Sequence, residues 1–340
     1  MVDSISAPVR SLRGTCRPRG AGLFLCSLAL LGLLFGLLLL PPAGVALAWS
    51  DDPTENTAIC TATGDQSSPQ IVSDGSGGYI ITWTDYRNGS SSDIYAQRVD
   101  SSGTAQWTAN GVAVCTATSS QYSPQVVSDG SGGAIITWYD YRSGSNYDIY
   151  AQRVNSSGSV QWTPDGVAVC TATGEQSSPQ IVSDGSGGAI VTWNDYRDSD
   201  WEDDIYAQRV DSSGAVRWAE NGVAICTIGG GDEMMMGGRQ TRVTSDGSGG
   251  AIITWNDYRD GDWEDDIYAQ RVDSSGAVQW AENGVAICTI GGGDEMMMGG
   301  RQTRVTSDGS GGAIITWNDY RDSDWEGDIY AQRVDSSGTV

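Results

Sequence analysis

Apolar and polar positions along this chain recur as a repeated unit. The string SDGSGG begins at Ser73, Ser128, Ser183, Ser245 and Ser307, and each copy leads into an apolar run ending in Trp83, Trp138, Trp193, Trp255 or Trp317. Successive copies are 55, 55, 62 and 62 residues apart. Self-similarity at such a period marks stacked supersecondary units, each too small to bury its own apolar face. In the second unit the pattern predicts a short strand at Gln125–Ser128, a glycine-rich turn at Asp129–Gly133 and a long strand at Ala134–Arg142. A third strand follows at Asp148–Val154, then a turn at 155–158. Val160–Trp162 and Gly166–Cys170 complete the unit as one broken strand or two short ones. No stretch has helical periodicity, and Gly, Ser and Asp are dense enough to interrupt a helix.

The long strand decides the architecture. Ala134, Ile136 and Trp138 alternate with Ile135, Thr137, Tyr139 and Tyr141, so both of its faces are largely apolar. A strand buried on both sides needs a sheet above and another below. The fold class expected is therefore all-β: a β-propeller of five blades with about four antiparallel strands each. A β-solenoid or part of a longer repeat array is the alternative, although solenoid repeats usually run to only about 20–30 residues. The segment from Trp49 to Cys60 resembles the outer strand of the other units, Trp280 to Cys288, so it is expected to close the ring by completing the fifth blade.

Residues 1–48 read as an export signal and not as fold. Arg10, Arg13, Arg17 and Arg19 precede an apolar run from Leu23 to Leu40, and Ala46-Leu47-Ala48 supplies a small-residue cleavage pattern. A retained membrane anchor is the alternative. The domain boundaries are thus 1–48 for the signal and 49–340 for the repeats, in a secreted or cell-surface protein.

Composition then removes whole classes of function. The chain has a formal net charge of −24, and losing four arginines with the signal makes the remainder more acidic still. Such a surface repels nucleic acid and anionic lipid heads, so no nucleic-acid partner and no membrane contact beyond the export signal are expected. There is no His, which removes the commonest general base and the commonest zinc ligand. Cys60, Cys115, Cys170, Cys226 and Cys288 sit at one equivalent place in successive units, an odd set that reads as free and buried rather than paired.

Asp140-Tyr141-Arg142 and its four counterparts could supply arginines to an anionic ligand. Fivefold recurrence favours a structural role instead, with this Arg, or Arg153 and its counterparts, pairing with a cross-strand Asp within its blade. The acidic loops at 198–204, 260–266 and 322–328 are the candidate ligand sites. Asp198, Asp200, Asp260, Asp262, Asp322 and Asp324 form a candidate calcium set, and Trp201, Trp263 and Trp325 beside them are candidate sugar-stacking residues. No cofactor is otherwise called for. Met234–Met236 and Met296–Met298 make glycine-flanked apolar loops with no role assigned.

With these motifs in view, the chain resembles a family of repeats from large secreted and surface proteins of bacteria. Their pattern is W-x-D-Y-R followed by D-I-Y-A-Q-R-V-D-S-S-G, of which Asp93–Asp100 is one clear copy, and the match runs over 54–340. The SDGSGG turn is more distantly similar to the Asp-box of sialidase-type propellers. The resemblance implies a propeller-like fold and an extracellular or envelope role, with no catalytic residues to carry over. The function expected is a non-enzymatic binding or display module, monomeric, taking an extracellular glycan, a protein or calcium. A sialidase- or glycosidase-like hydrolase and a structural spacer or surface-layer component are the alternatives.

Overall fold

The computed structural model describes residues 49–50, 52–198, 203–228, 239–259, 266–290, 301–319, 321 and 327–340. The export segment lies outside them, so the structure does not bear on it. Every regular element among the described residues is a strand. Blade 1 comprises β1 (Gln66–Ser73), β2 (Tyr79–Asp85), β3 (Asp93–Val99) and β4 (Val112–Cys115). Blade 2 repeats this with β5 (Gln121–Ser128), β6 (Ala134–Asp140), β7 (Asp148–Val154) and β8 (Val167–Cys170). Blade 3 has β9 (Gln176–Ser183), β10 (Ala189–Asp195), β11 (Asp204–Val210) and β12 (Val223–Cys226). Blade 4 has β13 (Arg242–Ser245), β14 (Ala251–Asp257), β15 (Asp266–Val272) and β16 (Val285–Cys288). Blade 5 holds β17 (Arg304–Ser307), β18 (Ala313–Asp319) and β19 (Asp328–Val334). Strands pair antiparallel in chain order within each blade, and the first strands of successive blades pack against one another, which makes them the inner strands of a β-propeller.

Two-sided burial of the long strand is what stacks the blades. Ala134, Ile136 and Trp138 join Ile80, Ile94 and Cys115 of blade 1, while Ile135 joins Ala189, Val191 and Trp193 of blade 3. Each buried large side chain contributes about 1.5–3 kcal/mol. A solenoid coil would not sandwich one strand between two neighbouring four-stranded sheets, so the propeller reading holds.

Polar groups fix the register of this stack. In the turn between β5 and β6, Asp129 Oδ1 accepts hydrogen bonds from the amides of Ser131 and Gly133, both at 2.8 Å. Gly130 and Gly132 take the positive φ values of 74° and 82° that the turn demands. Arg153 on β7 donates Nε to Asp129 Oδ2 at 3.0 Å and Nη1 to the Ser212 carbonyl of blade 3 at 3.2 Å, so one side chain ties a hairpin to the next blade. Tryptophan adds a second tie: Trp107 Nε1 reaches Ser156 O at 3.0 Å and Trp162 Nε1 reaches Ser212 O at 3.1 Å.

The N-terminal segment follows this scheme only in part. Trp49 Nε1 donates to Ser101 O at 3.1 Å with its ring beside Gly103, and Cys60 Sγ lies 3.6 Å from Arg87 Nη2, so both take the places that Trp107 and Cys115 hold against blade 2. The expected pairing of this segment with β19 is absent from the sheets of the described residues, where the fifth sheet has three strands. Trp49 and Cys60 thus meet blade 1 as the outer strand of each blade meets the blade that follows it. Ile314 and Ile329 of blade 5 stay 40% and 73% exposed, and Ile71 and Tyr79 of blade 1 stay 63% and 41% exposed.

Candidate functional site

The recurring Asp-Tyr-Arg motif is structural. In blade 2, buried Asp140 accepts from Trp138 Nε1 at 2.8 Å, from the Arg142 amide at 2.9 Å and from Arg142 Nη2 at 2.6 Å. The same Nη2 reaches the Asp165 carbonyl at 2.7 Å and Cys115 Sγ at 3.2 Å, and the guanidinium lies 3.8 Å over the Tyr150 ring. Equivalent stacking puts Arg87 over Tyr95 and Arg197 over Tyr206, so these arginines are spent on their own blade and the Cys of the preceding outer strand and do not converge on a ligand. Ion pairs within the blade exist, but not with a cross-strand Asp: Arg142 pairs with Asp140, two residues before it at the end of β6, and Arg153 with Asp129 in the hairpin turn. The five cysteines among the described residues are free, four of them buried and Cys60 partly so, and burial pushes the Cys115 thiol up to about 12, which removes it as a nucleophile.

Opposite Asp140 in the register stands Asp148, also buried, whose carboxyl is raised to about 6 by burial first and by the Asp140 charge second. Asp93 repeats this against Asp85. The recurrence marks a scaffold pair, and it has a consequence for pH. The folded state holds a proton on Asp148 that the unfolded chain, with its lower pKa, gives up, so stability falls as pH rises from about 4 to about 6. Asp148→Asn is therefore expected to raise the melting temperature at pH ~7.5, with the gain vanishing near pH ~4. Melting curves at the two pH values check this, and a gain of equal size at both would contradict it.

The acidic loops leave little to describe. Asp198 is exposed at the start of the loop after Arg197. Asp200, Asp260, Asp262, Asp322 and Asp324 lie outside the described residues, as do Trp201, Trp263, Trp325 and both methionine loops. Among the described residues, no three His, Cys, Asp or Glu side chains are placed to hold a metal ion.

A different cluster emerges on blade 2. Tyr139 and Tyr147 meet edge-on with ring centroids 5.0 Å apart, Tyr122 lies 5.7 Å from Tyr139, and Tyr141 lies 4.9 Å from Tyr147. All four are half-buried and keep part of their surface open. Burial, and then the neighbouring Tyr122 and Tyr139, hold the Tyr147 hydroxyl above its ordinary pKa, so it remains a neutral hydrogen-bonding group. Tyr139 also lines a cavity of about 280 Å³ bounded by the inner strands of blades 2 and 3 and the approach to β13, with Ser123, Gln125, Gln180, Gln240 and Arg242 around it. A bulge between Tyr122 and Gln125, with Ser123 at φ 48°, turns this part of β5 out of regular pairing.

The signal for this site was a departure from the repeat. Tyr139 stands where the other blades have Thr84, Asn194, Asn256 and Asn318, and Tyr147 where blades 1 and 3 have Ser92 and Asp203. A search for carboxylates unique to one blade passes over it.

No protein-family model matches the chain, and no curated protein matches it by sequence. Solved structures do resemble it in shape. An endo-1,4-beta-xylanase from Bacteroides thetaiotaomicron is 8% identical, with TM-score 0.40 and coverage of 80% of this chain and 92% of that one. An endo-arabinase from the same organism is 15% identical, with TM-score 0.39, covering 82% and 97%. An alpha-L-arabinofuranosidase from Fusarium graminearum is 10% identical, with TM-score 0.43, covering 80% and 81%. At these identities the likeness concerns the fold alone. It nevertheless corrects one expectation. The three structures named are glycan-cleaving enzymes, which runs against the expectation of a non-enzymatic binding or display module, and that expectation is not carried further.

Proposed function

We propose that the protein acts on an extracellular glycan, received by the tyrosine cluster of blade 2 and the cavity beside it, as a glycosidase-like hydrolase. The observation that carries this reading is the concentration on one blade of four half-buried tyrosines next to a cavity edged with amide and hydroxyl side chains. Sugars present apolar C–H faces that pack on aromatic rings, and hydroxyls that need donors and acceptors in fixed directions. Pockets of this kind combine apolar contact with a few placed polar groups. The loop opening at Asp198 is blade 3's counterpart of the loop that carries Tyr141 and Tyr147, and it leaves the fold at the same end of the blades. Glycoside cleavage uses a pair of carboxyl groups, and Asp198, exposed at that end, is taken as one of them. Export, read from residues 1–48, belongs to the same proposal, because polysaccharide substrates lie outside the cell.

The test is a panel of plant, algal and bacterial polysaccharides assayed for binding and for release of reducing ends. At least one is expected to be bound and cleaved. Tyr139→Ala is expected to weaken binding by about tenfold or more, the loss of one stacked aromatic contact, and Asp198→Asn to lower turnover with binding retained. A panel with no bound member would overturn the proposal.

A further inference from the structure

Arg242 and Arg304 occupy one equivalent position on the inner strands of blades 4 and 5, where blades 1, 2 and 3 carry Gln70, Gln125 and Gln180. β13 and β17 pack side by side, and burial together with the nearby Arg304 charge holds Arg242 below the usual arginine pKa. Their hydrogen bonds go to neutral carbonyls: Arg242 Nη1 to Thr241 O at 2.8 Å and Arg304 Nη1 to Thr303 O at 2.9 Å. Among the described residues every other arginine has an acidic partner. Those of the Asp-Tyr-Arg motif pair with its Asp. Those of the third strands pair with the turn Asp. Arg217 pairs with Asp211, buried Arg239 faces Asp203 and Asp257, and Arg301 faces Asp319. In a chain of net charge −24, the two arginines without a counter-ion among the described residues are neighbours, and Arg242 lines the cavity that Tyr139 shares.

We propose that Arg242 and Arg304 form an anion subsite that selects a charged sugar, a uronate carboxylate or a sulfate ester, while the blade 2 tyrosines hold the ring. This inference rests on the glycan reading above and narrows its substrate class. A guanidinium presents planar, paired donors that match a carboxylate or sulfate edge, and two adjacent guanidiniums lower each other's electrostatic energy by sharing one anion. The acidic surface opposes such a ligand at long range, so selection acts at contact.

Calorimetric titration of the whole protein with an oligogalacturonate, a sulfated oligogalactan and a neutral oligogalactan of equal length tests it. One charged series is expected to bind at least about tenfold more tightly than the neutral one, and which series does so identifies the group recognised. Arg242→Gln and Arg304→Gln install the residue that blades 1–3 already carry at this position, so the blades should accept them. Each is expected to remove the charged preference while neutral binding is kept, and Arg242→Lys to retain part of it. Equal binding of charged and neutral series by the unaltered protein, or a charged preference surviving in the double Gln variant, would overturn the inference and leave the glycan reading standing. Binding of none of the three, with a neutral polysaccharide of the wider panel still bound, would overturn it in the same way. Failure of every polysaccharide would remove both.

Discussion

Asp140→Asn is expected to destabilise the protein by about 3–5 kcal/mol, because it removes the one charge that compensates a largely buried guanidinium. Asp140 accepts from Trp138, from the Arg142 amide and from the Arg142 side chain, and the fully buried Trp138 has no water to turn to when the carboxylate is lost. The loss corresponds to a fall in melting temperature of about 6–20 °C for a domain of this size. Asp211→Asn is the matched control. Its partner Arg217 is 54% exposed, and an exposed pair contributes about 1 kcal/mol or less. Chemical denaturation of the two variants compares them, and equal losses would show that the motif is not the centre of each blade's stability.

Gly166→Ala is expected to cost about 2–4 kcal/mol. Gly166 has φ +92°, and a Cβ there would lie 2.7 Å from Trp138 Cη2 and 2.8 Å from the Ala151 carbonyl, so the substitution strains the backbone and also drives into the central tryptophan of the blade. Gly130→Ala separates these effects. Its φ is +74°, but nothing lies within 4 Å of the added carbon, so only the backbone term of about 1 kcal/mol applies. If the two variants melted together, close packing of glycine on tryptophan would not be what holds the outer strand in place.

Much of the fold could be read from the repeat itself. The third strand appears in the structure with the bounds expected, Asp148–Val154, because DIYAQRV alternates cleanly between two glycine-containing turns. The first strand runs from Gln121 and not from Gln125, since a bulge at Ser123 carries pairing past a residue at positive φ that interrupts the alternation. Ala134–Arg142 stops at Asp140, where the side chain leaves the ladder to accept hydrogen bonds from Trp138 and Arg142. Ring closure was legible in part: Trp49 and Cys60 meet blade 1 as the outer-strand motif meets the following blade elsewhere, whereas pairing with β19 is absent from the sheets of the described residues. The candidate site was harder to see. Repetition draws attention to what recurs, whereas Tyr122, Tyr139 and Tyr147 matter by differing from their counterparts, and they come together only when β5, β6 and the loop after β6 are folded side by side. Arg242 and Arg304 were visible as substitutions for Gln, but that they alone lack a counter-ion among the described residues is a property of the folded chain.

A crystal of the protein soaked with an oligosaccharide selected from the polysaccharide panel tests the central claim most directly. The expected result is a sugar ring packed on Tyr139 and Tyr147, with its hydroxyls within hydrogen-bond reach of Gln125 or Gln180 at the cavity edge. Sugar bound elsewhere on the surface, with this cavity and its tyrosines untouched, would contradict it.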